Sequence, residues 1–180
     1  MEALKIPSPP RTLMEVYKML PEGTLAELIN GTLYMSPAPT PRHQRIVRKL
    51  SSVISDFVEQ RMLGEVFISA CDVFLDGHSN AIQPDIIFIS THKASIIKED
   101  ESIKGVPDLI VEILSPGNPR LDKIIKKELY EKFGVQEYWI IDPQTKEAWG
   151  YTLKEKAYTE IGTFTGKISS LLLQSEFAFL

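Results

Sequence analysis

A chain of 180 residues with 43% hydrophobic and 24% charged side chains suits one globular domain over residues 1–180, with a core that needs no staple. Its lone cysteine, Cys71, excludes an internal disulfide and a cysteine-rich zinc site, and the apolar neighbours Phe67, Ile68, Val73 and Phe74 predict a buried, inert thiol. The net charge of −4 argues against coating nucleic acid through bulk electrostatics but leaves a nuclease open; with no basic-then-apolar leader and no apolar run near the ~18 residues that span a bilayer, a cytoplasmic protein without a membrane partner is expected.

In chain order, Thr12 with Glu15 reads as a capping box before a short helix whose apolar stripe is Leu13, Val16, Tyr17 and Leu20. Leu25 to Ile29 and Thr32 to Met35 flank Asn30-Gly31, the pair that best tolerates the positive φ values of a tight hairpin, and Ser36-Pro37-Ala38-Pro39 ends it. Thr40-Pro41 then signals an N-cap and first helical position, with Ile46, Val47, Leu50, Val53, Ile54, Phe57 and Val58 at helical spacing up to Gly64.

From Glu65 the pattern is β, through Val66, Phe67, Ile68 and Val73, Phe74, Leu75 to a turn at residues 76–80. Two strands follow, Gln83-Pro84-Asp85-Ile86-Ile87-Phe88-Ile89 and Pro107-Asp108-Leu109-Ile110-Val111-Glu112-Ile113-Leu114, joined by a polar stretch from Ser90 to Gly105. Asn118-Pro119 repeats the cap-plus-proline signal before a helix with Leu121, Ile124, Ile125, Leu129 and Phe133, closed by Gly134. Residues 137–141 form an aromatic, β-branched strand stopped by Pro143, and terminal hairpin strands carry Trp149, Tyr151, Tyr158, Ile161 and Phe164. Such paired strands at the C-terminus suit a homodimer.

Each of the two acidic strings buries a carboxylate among apolar residues, which costs several kcal/mol unless a cation compensates. A shared metal ion is the natural compensator. Alternation puts Asp108 and Glu112 on one strand face, but four residues span roughly 13 Å, while two ligands of one magnesium each lie about 2.1 Å from it. Glu112 therefore needs a partner from another strand, and Asp85, on the preceding one, is the candidate.

A lysine to orient or deprotonate the attacking water would complete the set. With Leu121 at zero on a helical wheel, Lys126 falls near about 140°, at the margin of the buried stripe, whereas Lys123 and Lys127 fall near about 200° and 240°, facing water. The same spacing also fits a plain Asp122–Lys126 helix pair. His43 reads as a helix N-terminal or packing residue, Ser115 as a turn residue, and Tyr138 and Trp139 as core. The basic runs Arg42 to Lys49 and Arg120 to Lys127 read as solvated helix faces or phosphate contacts.

The ordered series Ala26-Glu27-Leu28-Ile29-Asn30-Gly31, Ser36-Pro37-Ala38-Pro39 with His43, Gln83-Pro84-Asp85, residues 106–116, Asp122 with Lys126 and Tyr130, and residues 134–142 resembles the Uma2 family, or DUF820, over residues 15–165. The resemblance implies a PD-(D/E)XK nuclease fold of α/β (α+β) class: a restriction-endonuclease-like mixed central sheet flanked by helices, with an N-terminal helix and hairpin and C-terminal strands. It assigns Asp85, Glu112 and Lys126 as catalytic residues. Asp85, Glu112 and the backbone carbonyl of Ile113 would hold Mg²⁺, with Mn²⁺ as substitute, for hydrolysis of DNA by metal-activated water. Leu114 stands where the standard motif has lysine, a role that passes to Lys126 in the next helix. Glu27 matches an acidic position of the family, leaving open a further metal ligand or an exposed hairpin glutamate. A catalytically silent module binding nucleic acid or protein is the alternative.

Overall fold

The computed structural model describes residues 9–115 and 120–180. The Asn118-Pro119 signal lies outside the described residues. Helix α1 (Leu13–Lys18) starts where the Thr12 hydroxyl accepts the Glu15 N–H; its buried side chains are Met14 and Tyr17, while Leu13, expected in the stripe, is exposed. Strands β1 (Ala26–Ile29) and β2 (Thr32–Met35) pair across Asn30 and Gly31, at φ 48° and 73°. Left-handed backbone at both central residues is what a two-residue hairpin requires. Helix α2 (Pro41–Gln60) begins with Thr40 accepting the His43 N–H.

Next come β3 (Gly64–Ile68), β4 (Val73–Phe74), β5 (Ala81–Ile82) and β6 (Ile86–Ser90). The polar stretch expected as a plain connection holds a 3₁₀ turn (Thr91–Ile96) and the short strands β7 (Ile97–Lys98) and β8 (Ser102–Lys104). They are two and three residues long with one apolar residue each, Ile97 and Ile103, too little for a periodic signal. Strand β9 (Leu109–Ile113) leads to a helical segment in two pieces: a π-helical stretch (Leu121–Lys126), then α3 (Lys127–Phe133), stopped by Gly134 at φ 88°. Strands β10 (Glu137–Ile141), β11 (Glu147–Lys154), β12 (Ala157–Thr165), β13 (Lys167–Ser170) and β14 (Ser175–Ala178) complete the chain.

The central mixed sheet has the order β12-β11-β10-β9-β6-β3, and a second six-stranded sheet runs β2-β1-β5-β4-β8-β7. Strands β9 and β10 are parallel neighbours, buried at every residue, as expected of strands covered on both faces. Leu109, Val111 and Ile113 pack with Ile46, Leu50 and Ile54 of α2. Ile110 and Leu114 face the other way, among Leu121, Leu129, Tyr130 and Tyr138. Trp139 lies so close to Gly150, its partner on β11, that a Cβ there would come within 2.4 Å of the indole. Tyr138 and Trp139 are thus core, and Cys71 is half-buried rather than buried, its thiol pushed up by burial and by Asp72.

Two buried carboxylates are structural. Glu137 accepts the Trp139 indole N–H and the Leu172 N–H, tying the turn between β13 and β14 to the sheet. Asp108 accepts the Ser90 N–H at 2.8 Å and pairs with Lys93 at 2.9 Å, which fastens the start of β9 to the end of β6. At the outer strand β12, Tyr158 is opposite Leu153, whose N–H is given to Gln136; Tyr158 therefore turns its own N–H outward, where the Glu131 carboxylate of α3 accepts it. Among the described residues, no helix is long and apolar enough to cross a membrane.

Candidate active site

Strands β6 and β9 are antiparallel with Ile86 opposite Val111, so Asp85, just before β6, stands beside Glu112. The Ile113 N–H donates to Asp85 Oδ2 at 2.8 Å, which holds the aspartate against the end of β9. From the second sheet, β1 turns Glu27 inward: it is 3% exposed, so the exposed-hairpin alternative does not hold. Its Oε1 accepts the Gln83 N–H at 2.9 Å, and the Gln83 side chain bonds Asp72 and the Thr24 carbonyl. The Gln83-Pro84-Asp85 string thus supports one carboxylate and supplies another.

The π-helical stretch brings the lysine. Lys126 is 4% exposed, and its ammonium lies 2.9 Å from Glu27 Oε2, 3.0 Å from Glu112 Oε1 and 3.3 Å from Asp122 Oδ1. The simple Asp122–Lys126 helix pair is therefore one edge of a larger cluster. The Tyr138 hydroxyl donates to the Asp122 carbonyl, a partner for backbone in the widened turn, and the Tyr130 hydroxyl donates to Glu112 Oε1 at 2.7 Å. Lys123 is exposed, as expected, and Lys127 is half-buried; their ammonium groups lie over the rings of Trp149 and Tyr151 at 4.2 and 3.9 Å. The long strand β11 extends the aromatic face beneath them, where a cation over a ring is stabilised. Leu114 is buried among apolar side chains, leaving the motif's usual lysine position without charge.

These groups form the floor of a pocket of about 520 Å³, lined also by Tyr34, Pro37, Pro39, Thr40, His43, Ser115 and Leu121. Burial raises the Glu112 carboxyl well above its ordinary value, with Asp122, Asp85 and Glu27 adding to the rise against the pull of Lys126. Asp122 is raised by burial in the same way. Burial disfavours charge on Lys126, yet Glu112, Glu27 and Asp122 together hold its ammonium well above the usual lysine range. Three carboxylates around one ammonium, with Asp85 beside Glu112, leave a surplus of acidic groups that a cation would relieve.

Among the described residues, no three His, Cys, Asp or Glu side chains gather around a common metal position. Lys126 occupies the space between Glu27, Glu112 and Asp122. Three oxygens of these carboxylates nevertheless have no partner among the described residues: Asp85 Oδ1, Glu112 Oε2 and Asp122 Oδ2. Because His43 Nδ1 is the only buried unpaired side-chain nitrogen or oxygen among the described residues, the Glu112 oxygen is reached from the pocket. Hard oxygen donors from one or two carboxylates are what magnesium takes from a protein.

His43, read from sequence as a helix-end or packing residue, is buried at the start of α2 with Nε2 3.0 Å from Asp85 Oδ2. Tyr130 and Gln83 carried no functional role in the sequence reading. The spacing Asp122, Lys126, Tyr130 was the available signal for the tyrosine, since it places all three on one helix face; no local pattern marks Gln83, whose bonds reach residues far along the chain.

A family model described as "Putative restriction endonuclease", Uma2, matches residues 13–179. No curated protein matches the sequence. The fold is similar to that of a DUF820 protein from Anabaena variabilis, titled a putative nuclease, with a TM-score of 0.76, 21% identity, and coverage of 94% of this chain and 96% of that one. A nuclease-like mixed α/β fold and a family match spanning almost every described element lead to one conclusion: the chain belongs to the Uma2 family of restriction-endonuclease-like proteins.

Proposed function

We propose that the chain is a Mg²⁺-dependent endodeoxyribonuclease of the PD-(D/E)XK type, with Asp85, Glu112 and Lys126 as its catalytic residues. The observation that carries this reading is two of the unpartnered oxygens, Asp85 Oδ1 and Glu112 Oε2, beside a buried ammonium at the floor of one pocket. Asp85, Glu112 and the Ile113 carbonyl would hold the ion, which when bound supplies a Lewis acid and a nucleophilic water for phosphodiester hydrolysis.

The residues of the chain then divide the work. Glu27 and Asp122 keep Lys126 in place and charged. A lysine so held is a poor base, so its role is to orient the attacking water and to stabilise charge developing on the phosphate. The Tyr130 hydroxyl fixes Glu112 Oε1 and leaves Oε2 to the pocket. Glu27, with both oxygens engaged, serves as a support of Lys126 and not as a ligand.

The test is cleavage of supercoiled plasmid and of single- and double-stranded oligonucleotides with Mg²⁺ or Mn²⁺, against chelator and against Glu112→Gln. Metal-dependent cleavage lost in the variant is the expected result. DNA binding that ignores chelator, with no cleavage of any substrate, would favour the silent module.

A further inference from the structure

We propose that His43 is the positioning residue for Asp85: its imidazole fixes the carboxylate so that Oδ1 faces the ion position. This rests on the reading of Asp85 as an ion ligand. Asp85 Oδ2 takes two donors, the Ile113 N–H at 2.8 Å and His43 Nε2–H at 3.0 Å. Neither touches Oδ1. Two donors on one oxygen restrict rotation of the carboxylate about its terminal bond and leave the second oxygen directed elsewhere.

The local fold makes this placement deliberate. Thr40 caps α2 through the His43 N–H, Pro41 sets the first turn, and the ring is thereby held against the carboxylate although it belongs to a different layer. Lys126 pairs with Glu27, Glu112 and Asp122 but not with Asp85, so His43 is the side-chain partner of Asp85 among the described residues. Packing alone would not demand this orientation. The ring's other nitrogen, Nδ1, is buried with no partner among the described residues, a cost that an apolar side chain of similar shape would avoid. The arrangement keeps a histidine for what Nε2 does to Asp85.

The two ring nitrogens can be separated by substitution. A glutamine amide nitrogen falls near the place of Nε2, an asparagine amide nitrogen near that of Nδ1. Calorimetric titration of the full chain with Mn²⁺ is expected to show affinity reduced about 10–100-fold in His43→Ala and His43→Asn, and retained within about threefold in His43→Gln. Equal affinity in all four proteins, or a glutamine variant as weak as alanine, would overturn the proposal. Wild type that binds no divalent ion would overturn the ion-site reading as well, which distinguishes the two failures.

A second measurement needs no metal. In chelator at fixed pH, ¹⁵N–¹H correlation of the imidazole should show a hydrogen-bonded Nε2–H in wild type that shifts or is lost in Asp85→Ala. Identical ring signals in the two proteins would also overturn the assignment.

Discussion

Glu27 Oε2 lies 2.9 Å from Lys126 Nζ, joining the first hairpin to the helix that follows β9. The contact turns an acidic residue of the second sheet into a clamp on the lysine of the π-helical stretch. Lys126 thereby has three anionic neighbours at the end of a side chain that would otherwise sample several rotamers. Its position depends on the closure of both sheets around the pocket.

Replacing Lys126 by methionine should therefore act on both stability and rate. Removing one partner of a buried ion cluster costs about 3–5 kcal/mol, and losing a donor aimed at developing charge lowers the rate about a hundredfold or more. Lys127→Met loses only its contact over Tyr151, about 0.5–1 kcal/mol, together with some salt-dependent DNA affinity. Chemical denaturation and single-turnover cleavage on both variants test the contrast; equal small effects would remove Lys126 from the site.

Divalent-ion binding should separate the carboxylates. Asp85→Asn and Glu112→Gln are expected to weaken Mn²⁺ binding in calorimetry by tenfold or more, whereas Asp108→Asn, engaged by Ser90 and Lys93, should leave it unchanged while costing about 1 kcal/mol of stability. A larger loss of affinity at Asp108 than at Asp85 would reject the ligand assignment.

In chelator, the protein should become less stable as pH rises from weakly acid to alkaline. Glu112 and Asp122 are raised above their ordinary values, chiefly by burial, so the folded state binds more protons than the unfolded one. Stability then falls as pH climbs from the unfolded carboxyl range through the raised folded values. Glu112→Gln removes one of these groups, and its melting temperature should vary less with pH over that window. A wild-type profile that rises toward alkaline pH would contradict the electrostatics of the pocket.

Asp76 shifts in the opposite sense. Although burial raises it, N–H groups of Ser79, His78 and Asn80 and the Asn80 amide donate to its carboxylate, holding it down at about 2 against an ordinary 3.8. Its contribution is present above the unfolded value and is lost as pH falls through about 2. Asp76→Ala should thus destabilise by about 1–2 kcal/mol near neutrality, with the difference from wild type closing in strong acid. Urea unfolding at several pH values measures it; a constant difference down to pH 2 would rule out the charge as the cause.

Much of the fold was legible in the sequence because the signals were local. Asn30-Gly31 marked the hairpin, Thr40-Pro41 the start of α2, Gly134 the end of α3, and the apolar runs around Asp85 and Glu112 the central strands. Strands β7 and β8 escaped notice, being too short for periodicity. Asp85, Glu112 and Lys126 are found together in the pocket, but Glu27, His43, Tyr130 and Gln83 join them through long-range contacts that no spacing rule contains. The wheel set Lys123 and Lys127 toward water, which holds for the exposed Lys123, but treating the helix in isolation gave no sign of the Trp149 and Tyr151 rings of β11 that the two ammonium groups cover.

The outward Tyr158 N–H, accepted by Glu131, bears on how copies of the chain coexist at high concentration. An outer strand with free donors is a template for recruiting another strand, and nine residues of β12 form such a border. By occupying a donor near its beginning, Glu131 denies an incoming strand one rung of the ladder and sets a negative charge in its path. The carboxylate thus leaves the border of β12 with one fewer donor to offer another strand.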